Sequence, residues 1–465
     1  MKRFLVILFA LMIFVVGAFL VSCNDENVDD ETLTPDSNDT NAESEGLAYT
    51  VNSDRKTCTI TGLGECTDIM INIPKEIDGY SVTAIGNNAF SDATHLENVI
   101  IGDSITYIGD SAFSGCTRLT SITIPSSVTS IGGSAFRGCI GLESITLPFV
   151  GATKDGTNNT HFGYIFGASV YSSNGIYVPS GLKTVVITGS TSIGKYAFYH
   201  CRRLTSVTIP DSVKSIGNYA FLECIGLTRV KYLGNIAGWC AIVFDDYDSN
   251  PLYYAGKLYI NDDLVTNLVI PDSVTSISDE AFYNYTGLTS VTIGDSVTNI
   301  GDSAFKGCTG LTSVTIGNSV TNIGWSAFSG CTGLTSVTIG NSVTNIGGYA
   351  FSGCTGLTSI TLPDSARSVG NYAFRDCTGL TSVTIPCRVR FIQEGAFKDC
   401  TGLTSVTIPD SVTSIGHYAF RDCTGLTSIK YRGTQAQWNT ISKGILWDYD
   451  GRDCDYTVTF NYTGE

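Results

Sequence analysis

Histidine occurs only four times in this chain of 465 residues, as His95, His161, His200 and His417, in four unrelated contexts. No Gly-x-Ser-x-Gly, His-Glu-x-x-His or phosphate-loop pattern accompanies them, so motif-bearing hydrolases, zinc peptidases and nucleotide-binding enzymes find no support. There is no Cys-x-x-Cys and no Cys/His cluster with ligand spacing, which disfavours a structural metal. Charge is also scarce, at 15% of residues. The balance is acidic, with 27 Lys and Arg against 43 Asp and Glu and a net charge of −16. Nonspecific nucleic-acid binding needs a basic footprint, and this chain has the reverse. Beyond the first 21 residues no apolar run is long enough to span a bilayer.

What is present begins with a targeting segment. Lys2 and Arg3 precede an apolar run from Phe4 to Val21, then Ser22 and Cys23. A basic start, an apolar middle and a small residue before the cut describe a secretory signal. An uncleaved membrane anchor is the alternative. The ending Leu20-Val21-Ser22-Cys23 resembles a bacterial lipoprotein signal, which implies cleavage before Cys23 and lipid attachment to its thiol. Residues 24–46 carry nine acids and no Lys or Arg, with almost nothing apolar to bury. Residues 1–22 are thus expected to be a signal peptide and 23–46 a flexible acidic tether. The acids directly after Cys23 resemble the signal that exports lipoproteins of some Gram-negative anaerobes to the outer face of the outer membrane. A plain solvated spacer is the alternative.

From there the chain repeats itself. Phe90, Phe113 and Phe136 are 23 residues apart, as are Phe198 and Phe221, and then Phe282, Phe305, Phe328, Phe351, Phe374, Phe397 and Phe420. Ala precedes each Phe, and Cys follows three residues later in ten of the twelve units; Ala93 and Tyr285 are the exceptions. In one unit Ser313, Val314, Thr315 and Ile316 alternate polar and apolar with β-branched side chains, the pattern of a half-buried strand. Gly or Pro ends it. Val320 and Ile323 make a second short inward segment, and Ala-Phe fills the back of the coil, in a single helical turn. One such coil cannot bury its apolar face alone, but stacked copies can.

The pattern L-x-x-V-x-I-P/G-x-S-V-x-x-I-G-x-x-A-F-x-x-C resembles the BspA-like leucine-rich repeats over about residues 60–430. The resemblance implies a leucine-rich-repeat solenoid, a β-rich α/β fold. It would be a right-handed superhelix of 23-residue coils with a parallel sheet, end caps and two irregular inserts. It also implies a surface protein of the kind associated with adhesion to host matrix proteins, cells and other microbes.

The solenoid is expected over 47–428, with residues 47–75 as an N-terminal cap holding a Cys58–Cys66 bridge. The period breaks at about 149–182 and 229–268. The motif around Lys231, Tyr232, Gly234, Ala237, Trp239 and Ile242 recurs at Lys430, Tyr431, Gly433, Ala436, Trp438 and Ile441. The second copy reads as part of a C-terminal cap over 429–465, covering apolar surface and unpaired strand edges. The first reads as a modified coil with a protruding loop.

Ten cysteines share one slot in the coil, so their side chains point in parallel and fit disulfide geometry poorly; a reduced buried ladder is expected. The acidic stretches Phe244–Asn250 and Trp447–Asp455 lack EF-hand spacing and read as acidic loop surface. Outward Ser and Thr ladders suit either solubility or an uncharged hydrogen-bonding platform. Departures from the repeat say more, because stacking does not require them. Arg367 and Arg390 replace a Thr in consecutive coils, and Arg388 lies beside them. Together they could engage a carboxylate or sulfate. Trp325 stands in a slot otherwise held by small or polar residues and Lys195, and it suits a binding anchor or packing on Tyr349.

The function expected is non-catalytic: a cell-surface lipoprotein, monomeric and without cofactor, metal or nucleic acid. Its membrane contact would be the lipid anchor alone, and its rigid scaffold would bind an extracellular protein or glycan. Glycan capture for nutrient uptake is one alternative, through Phe162, Tyr164, Phe166, Tyr253 and Tyr254. An enzyme with paired acids or a histidine in an insert pocket is the other.

Overall fold

A computed structural model describes residues 42–154, 156–449 and 456–463. Cys23, Cys454, the signal segment and nearly all of the acidic tether lie outside them. The described residues from 43 onward form one compact unit. It is a β-solenoid of about 16 turns.

Each regular coil carries two strands rather than one. Val314 and Ile316 of the front strand Ser313–Ile316 point inward and are buried, while Thr315 is exposed. The front strands run parallel and in register, Val291 beside Val314 beside Val337. After the turn a second strand, Asn322–Ile323, joins a separate parallel sheet through Asn299 and Asn345. The sequence reads the second segment correctly as inward but leaves it out of a sheet.

The back of the coil is not a helical turn. The Ser303, Phe305 and Gly307 amides donate across to Trp325, Ala327 and Ser329 of the next coil, each at 2.8 Å. The intervening Ala304, Lys306 and Cys308 amides donate to carbonyls three residues earlier. Ser303 and Gly307 make this alternation possible by adopting left-handed φ of 54° and 75°. Every second amide thus ties neighbouring coils, which a continuous helix cannot do.

The core is one cluster running from Leu47 to Trp447. Along Phe282 to Phe420 the rings stack at 5.2–5.4 Å. At the start, Ala48–Val51 pairs antiparallel with Thr57–Gly62, which pairs parallel with Tyr80–Ile85. The Cys58–Cys66 bridge is not formed. Cys58 lies in the hairpin facing the Tyr80 carbonyl, and both thiols are free and buried. Residues 43 and 44, placed in the tether by their composition, are tied to the cap. The Lys75 amide donates to Glu43 and the Asn72 amide to Ser44.

The first insert is an enlarged coil. Ser144 of one front strand pairs with Thr184 of the next, so the front sheet passes straight through. Phe162 and Phe166 are fully buried and bridge the phenylalanine column between Phe136 and Phe198. They are core, not the exposed contacts that the glycan-capture alternative requires of them.

The second insert breaks both sheets. The front strand Leu258–Ile260 turns back antiparallel to Asp263–Leu264, and Asn267–Ile270 starts a new sheet. Among the second strands, Val243–Phe244 ends one sheet and Ser276–Ile277 begins another. Side chains reconnect the halves. Trp239 donates its indole N–H to Ala281 at 2.8 Å, Asn250 donates to Glu280 at 2.7 Å, and Asn284 to Tyr253 at 2.7 Å. Much of the expected protruding loop is packed inward, with Ser249, Asn250, Leu252 and Ala255 buried.

Candidate binding surface

Repetition lets each outward file of residues be assigned to structure or left over from it. One threonine file precedes the front strand: the Thr312 hydroxyl donates to Thr289 at 3.0 Å and Thr335 to Thr312 at 3.1 Å. A second precedes the second strand: Thr321 donates to Thr298 and Thr344 to Thr321, both at 3.2 Å. Serines one turn earlier do the same, Ser365 to Val343 at 2.7 Å and Ser411 to Val389 at 2.9 Å. Asparagines form an amide ladder, Asn322 to Asn299 at 2.8 Å and Asn345 to Asn322 at 2.6 Å. Asp295 and Asn318 accept the amides of Asn318 and Asn341. These polar positions hold coil to coil.

One coil keeps the first of these files at Thr381 and leaves the others together. Where others read Pro-Asp-Ser-Val-Thr-Ser-Ile, as at 409–415, residues 386–392 read Pro-Cys-Arg-Val-Arg-Phe-Ile. The inward Pro386, Val389 and Ile392 are kept and buried. The outward Cys387, Arg388, Arg390 and Phe391 are exposed, Phe391 by 53%. Arg367 shares the Arg390 file one coil earlier, since Val369 pairs with Ile392, and it too is exposed. Among the described residues none of these three arginines has an ion pair. The back-face charges do: Arg375 with Asp376 and Asp399, Lys398 with Asp399, and Arg421 with Asp422.

Trp325 lies elsewhere, on the back edge, half exposed at 50%. It meets Tyr349 edge-on at 5.7 Å, Lys306 sits 5.8 Å from its ring, and Gly348 leaves room beneath the indole. Tyr349 then stacks on Tyr372 at 5.0 Å. The packing on Tyr349 expected from the sequence is present, and half of the indole remains exposed. Other tyrosines pack likewise: Tyr196 stacks on Tyr171 at 3.9 Å and on Tyr219 at 5.3 Å. Rings stacked along the axis cover one another's faces.

A family model described as a BspA type leucine rich repeat region matches residues 69–158, 174–249, 256–380 and 344–446, in six copies. The chain belongs to this family. A leucine-rich repeat protein from Bacteroides ovatus ATCC 8483 is 26% identical with a TM-score of 0.55, over 90% of this chain and 99% of that one. A leucine rich cell surface protein from Faecalibacterium prausnitzii A2-165 is also 26% identical, with a TM-score of 0.38, over 86% and 97%. A comparison with curated protein sequences finds no match.

In these BspA-type coils the cysteine slot is structural. Nine of the ten thiols donate to the phenylalanine carbonyl of the preceding coil, as Cys331 does to Phe305 at 3.2 Å. Burial pushes Cys116 and Cys139 up to about 12, and Cys224, Cys331, Cys354 and Cys377 well above the ordinary thiol range. Such thiols are poor nucleophiles. Tyr285 replaces Cys just after the second insert, where its hydroxyl reaches Leu258 and Val265 instead.

The histidines stay apart. His161 is a core residue hydrogen-bonded to Asn174 at 3.0 Å, its pKa lowered by burial. His200 is half-buried against Tyr199, and His417 accepts the Ile445 amide. A cleft of about 420 Å³ beside Leu264 and Val265, one of about 230 Å³ beside Val178 and Leu204, and one of about 220 Å³ beside Phe244 hold neither paired carboxylates nor a histidine. Among the described residues no group of three acids, Cys or His is placed to hold a metal.

Proposed function

We propose that this BspA-type protein is a non-catalytic binding protein of the cell surface that adheres to extracellular macromolecules. The supporting observation is the coil at 386–392. It keeps every inward residue of the repeat and changes four outward ones. Folding alone would favour the consensus there, since the consensus residues tie coils together. Contacts to the ligand come from Arg367, Arg388 and Arg390 on that face, with Trp325 as a separate anchor on the back edge. Anchoring is through a lipid on Cys23, with the acidic residues that follow acting as spacer, and the protein works as a monomer.

Intact cells treated with protease test the placement, and adherence of the same cells to immobilised matrix and microbial surfaces tests the role. Surface cleavage together with loss of adherence is expected. A protein that stays uncut on intact cells overturns the reading.

A further inference from the structure

Three consensus interactions are given up within one coil, and a polar file is broken by an aromatic ring. Cys387 offers no oxygen for the Asp410 amide, as Asp295 does for that of Asn318. Arg388 lacks the hydroxyl that Ser365 and Ser411 return to the preceding coil. Arg390 lacks the hydroxyl of the Thr321 and Thr344 file, and Arg367 lacks it one coil earlier. Phe391 interrupts the outward file to which the Asn299–Asn322–Asn345 ladder belongs. Each such bond contributes about 0.5–1.5 kcal/mol net. Like charges have also been brought together: Arg367 and Arg390 stand just before the paired strands Ser368–Val369 and Phe391–Ile392, whose neighbours lie about 4.8 Å apart. Both changes lower stability, and neither is offset by an ion pair among the described residues. They make sense for a surface completed by a bound anion.

The chemistry of the patch narrows the partner. Guanidinium groups present planar forks suited to carboxylate and sulfate oxygens. Phe391 supplies an exposed aromatic ring, and unlike the stacked tyrosines it has no ring neighbour among the described residues. A free apolar face beside cationic forks fits the C–H face of a pyranose that also carries an acid group. A peptide strand is less well served. The second strand Phe391–Ile392 is paired on both sides, to Ser368–Val369 and Ser414–Ile415, so it offers no open edge for strand addition.

We propose that Arg367, Arg388, Arg390 and Phe391 form a site for an acidic saccharide chain, bearing uronate or sulfate groups. The proposal rests on the binding-scaffold reading and names the ligand class of its main face.

The test uses full-length protein in detergent, immobilised and probed with heparin, polygalacturonate, neutral dextran and poly-glutamate. A variant restoring the repeat (Cys387→Asp, Arg388→Ser, Arg390→Thr, Phe391→Ser, with Arg367→Thr) is compared with the native chain. Native protein binds heparin or polygalacturonate and not dextran; which of the two it prefers separates sulfate from uronate. The restored variant binds at least tenfold more weakly while melting at a higher temperature, so misfolding cannot account for the loss. Phe391→Ser alone weakens saccharide binding several-fold and leaves its salt dependence unchanged, because no ion pair is removed. Equal binding of poly-glutamate, or unchanged saccharide binding by the restored variant, overturns the proposal. Cells carrying the restored variant that still adhere would sink this site and leave the scaffold reading standing.

Discussion

The Cys331 thiol donates to the Phe305 carbonyl 3.2 Å away in the preceding coil, and the same oxygen accepts the Cys308 amide of its own coil. Two donors from two coils meet on one acceptor. A small side chain with a weak donor is what this slot requires, which accounts for its filling by cysteine. Cys331→Ala removes one donor and little volume, at a cost of about 1 kcal/mol. Cys331→Val overpacks the turn and costs about 1–3 kcal/mol. Thermal melting by circular dichroism should rank native above Ala above Val.

Thiol titration separates the cysteines. The ladder thiols are all buried, and burial raises the Cys116, Cys139 and Cys354 thiols well above their ordinary range, whereas Cys387 is exposed. With an aromatic disulfide reagent in native buffer, Cys387 reacts in the fast phase and the ladder waits for denaturant. Cys387→Ser should remove one equivalent from the fast phase and leave the slow phase intact.

Glu280 sits at the second insert, where burial first, and then Asp246 and Asp279, raise its carboxyl to about 7. Its ordinary value is 4.5, so folding disfavours the ionised form. The penalty is absent below pH 4.5, grows between 4.5 and 7, and is complete above 7. Glu280 is only partly buried, and screening reduces the effect to about 1–2 kcal/mol. Glu280→Gln should therefore raise the melting temperature at pH 8 and leave it unchanged near pH 4.5. The opposite pH order would contradict this account.

Trp239 is buried at the junction where both parallel sheets stop, and its indole N–H donates to Ala281 beyond the break. Trp239→Ala should cost about 3–5 kcal/mol. In a stacked array the loss falls on one interface. Calorimetry should then resolve two transitions where the native chain shows closer coupling, the later coils melting apart from the earlier ones.

The period carried most of this fold in plain view. Val314, Ile316, Phe328 and Cys331 point inward because identical coils must bury identical residues, and their spacing says so. Phe162 and Phe166 escaped because they fall outside the 23-residue register, amid Gly, Asn and Ser that suggest a loop. Their core role comes from filling the column between Phe136 and Phe198. The arginines of the site were legible as departures. Phe391 was not singled out, although aligning 386–392 with 409–415 shows it standing where Ser414 does. The several Thr files look alike in sequence. Only cross-coil geometry shows that the hydroxyls of Thr321 and Thr344 hold coils together, and hence what Arg367 and Arg390 forgo.

Each coil hands its successor the same donors and acceptors it received. A cut at one register and a rejoining at the same register one coil away leave surfaces that fit, because Thr312–Leu334 and Thr335–Leu357 are almost the same text. Copy number in this stretch is therefore nearly neutral to folding, while the first insert and the arginine coil are each present once. Such a chain can change its length by unequal exchange and keep its recognition face, much as a ruler may be lengthened without redrawing its markings.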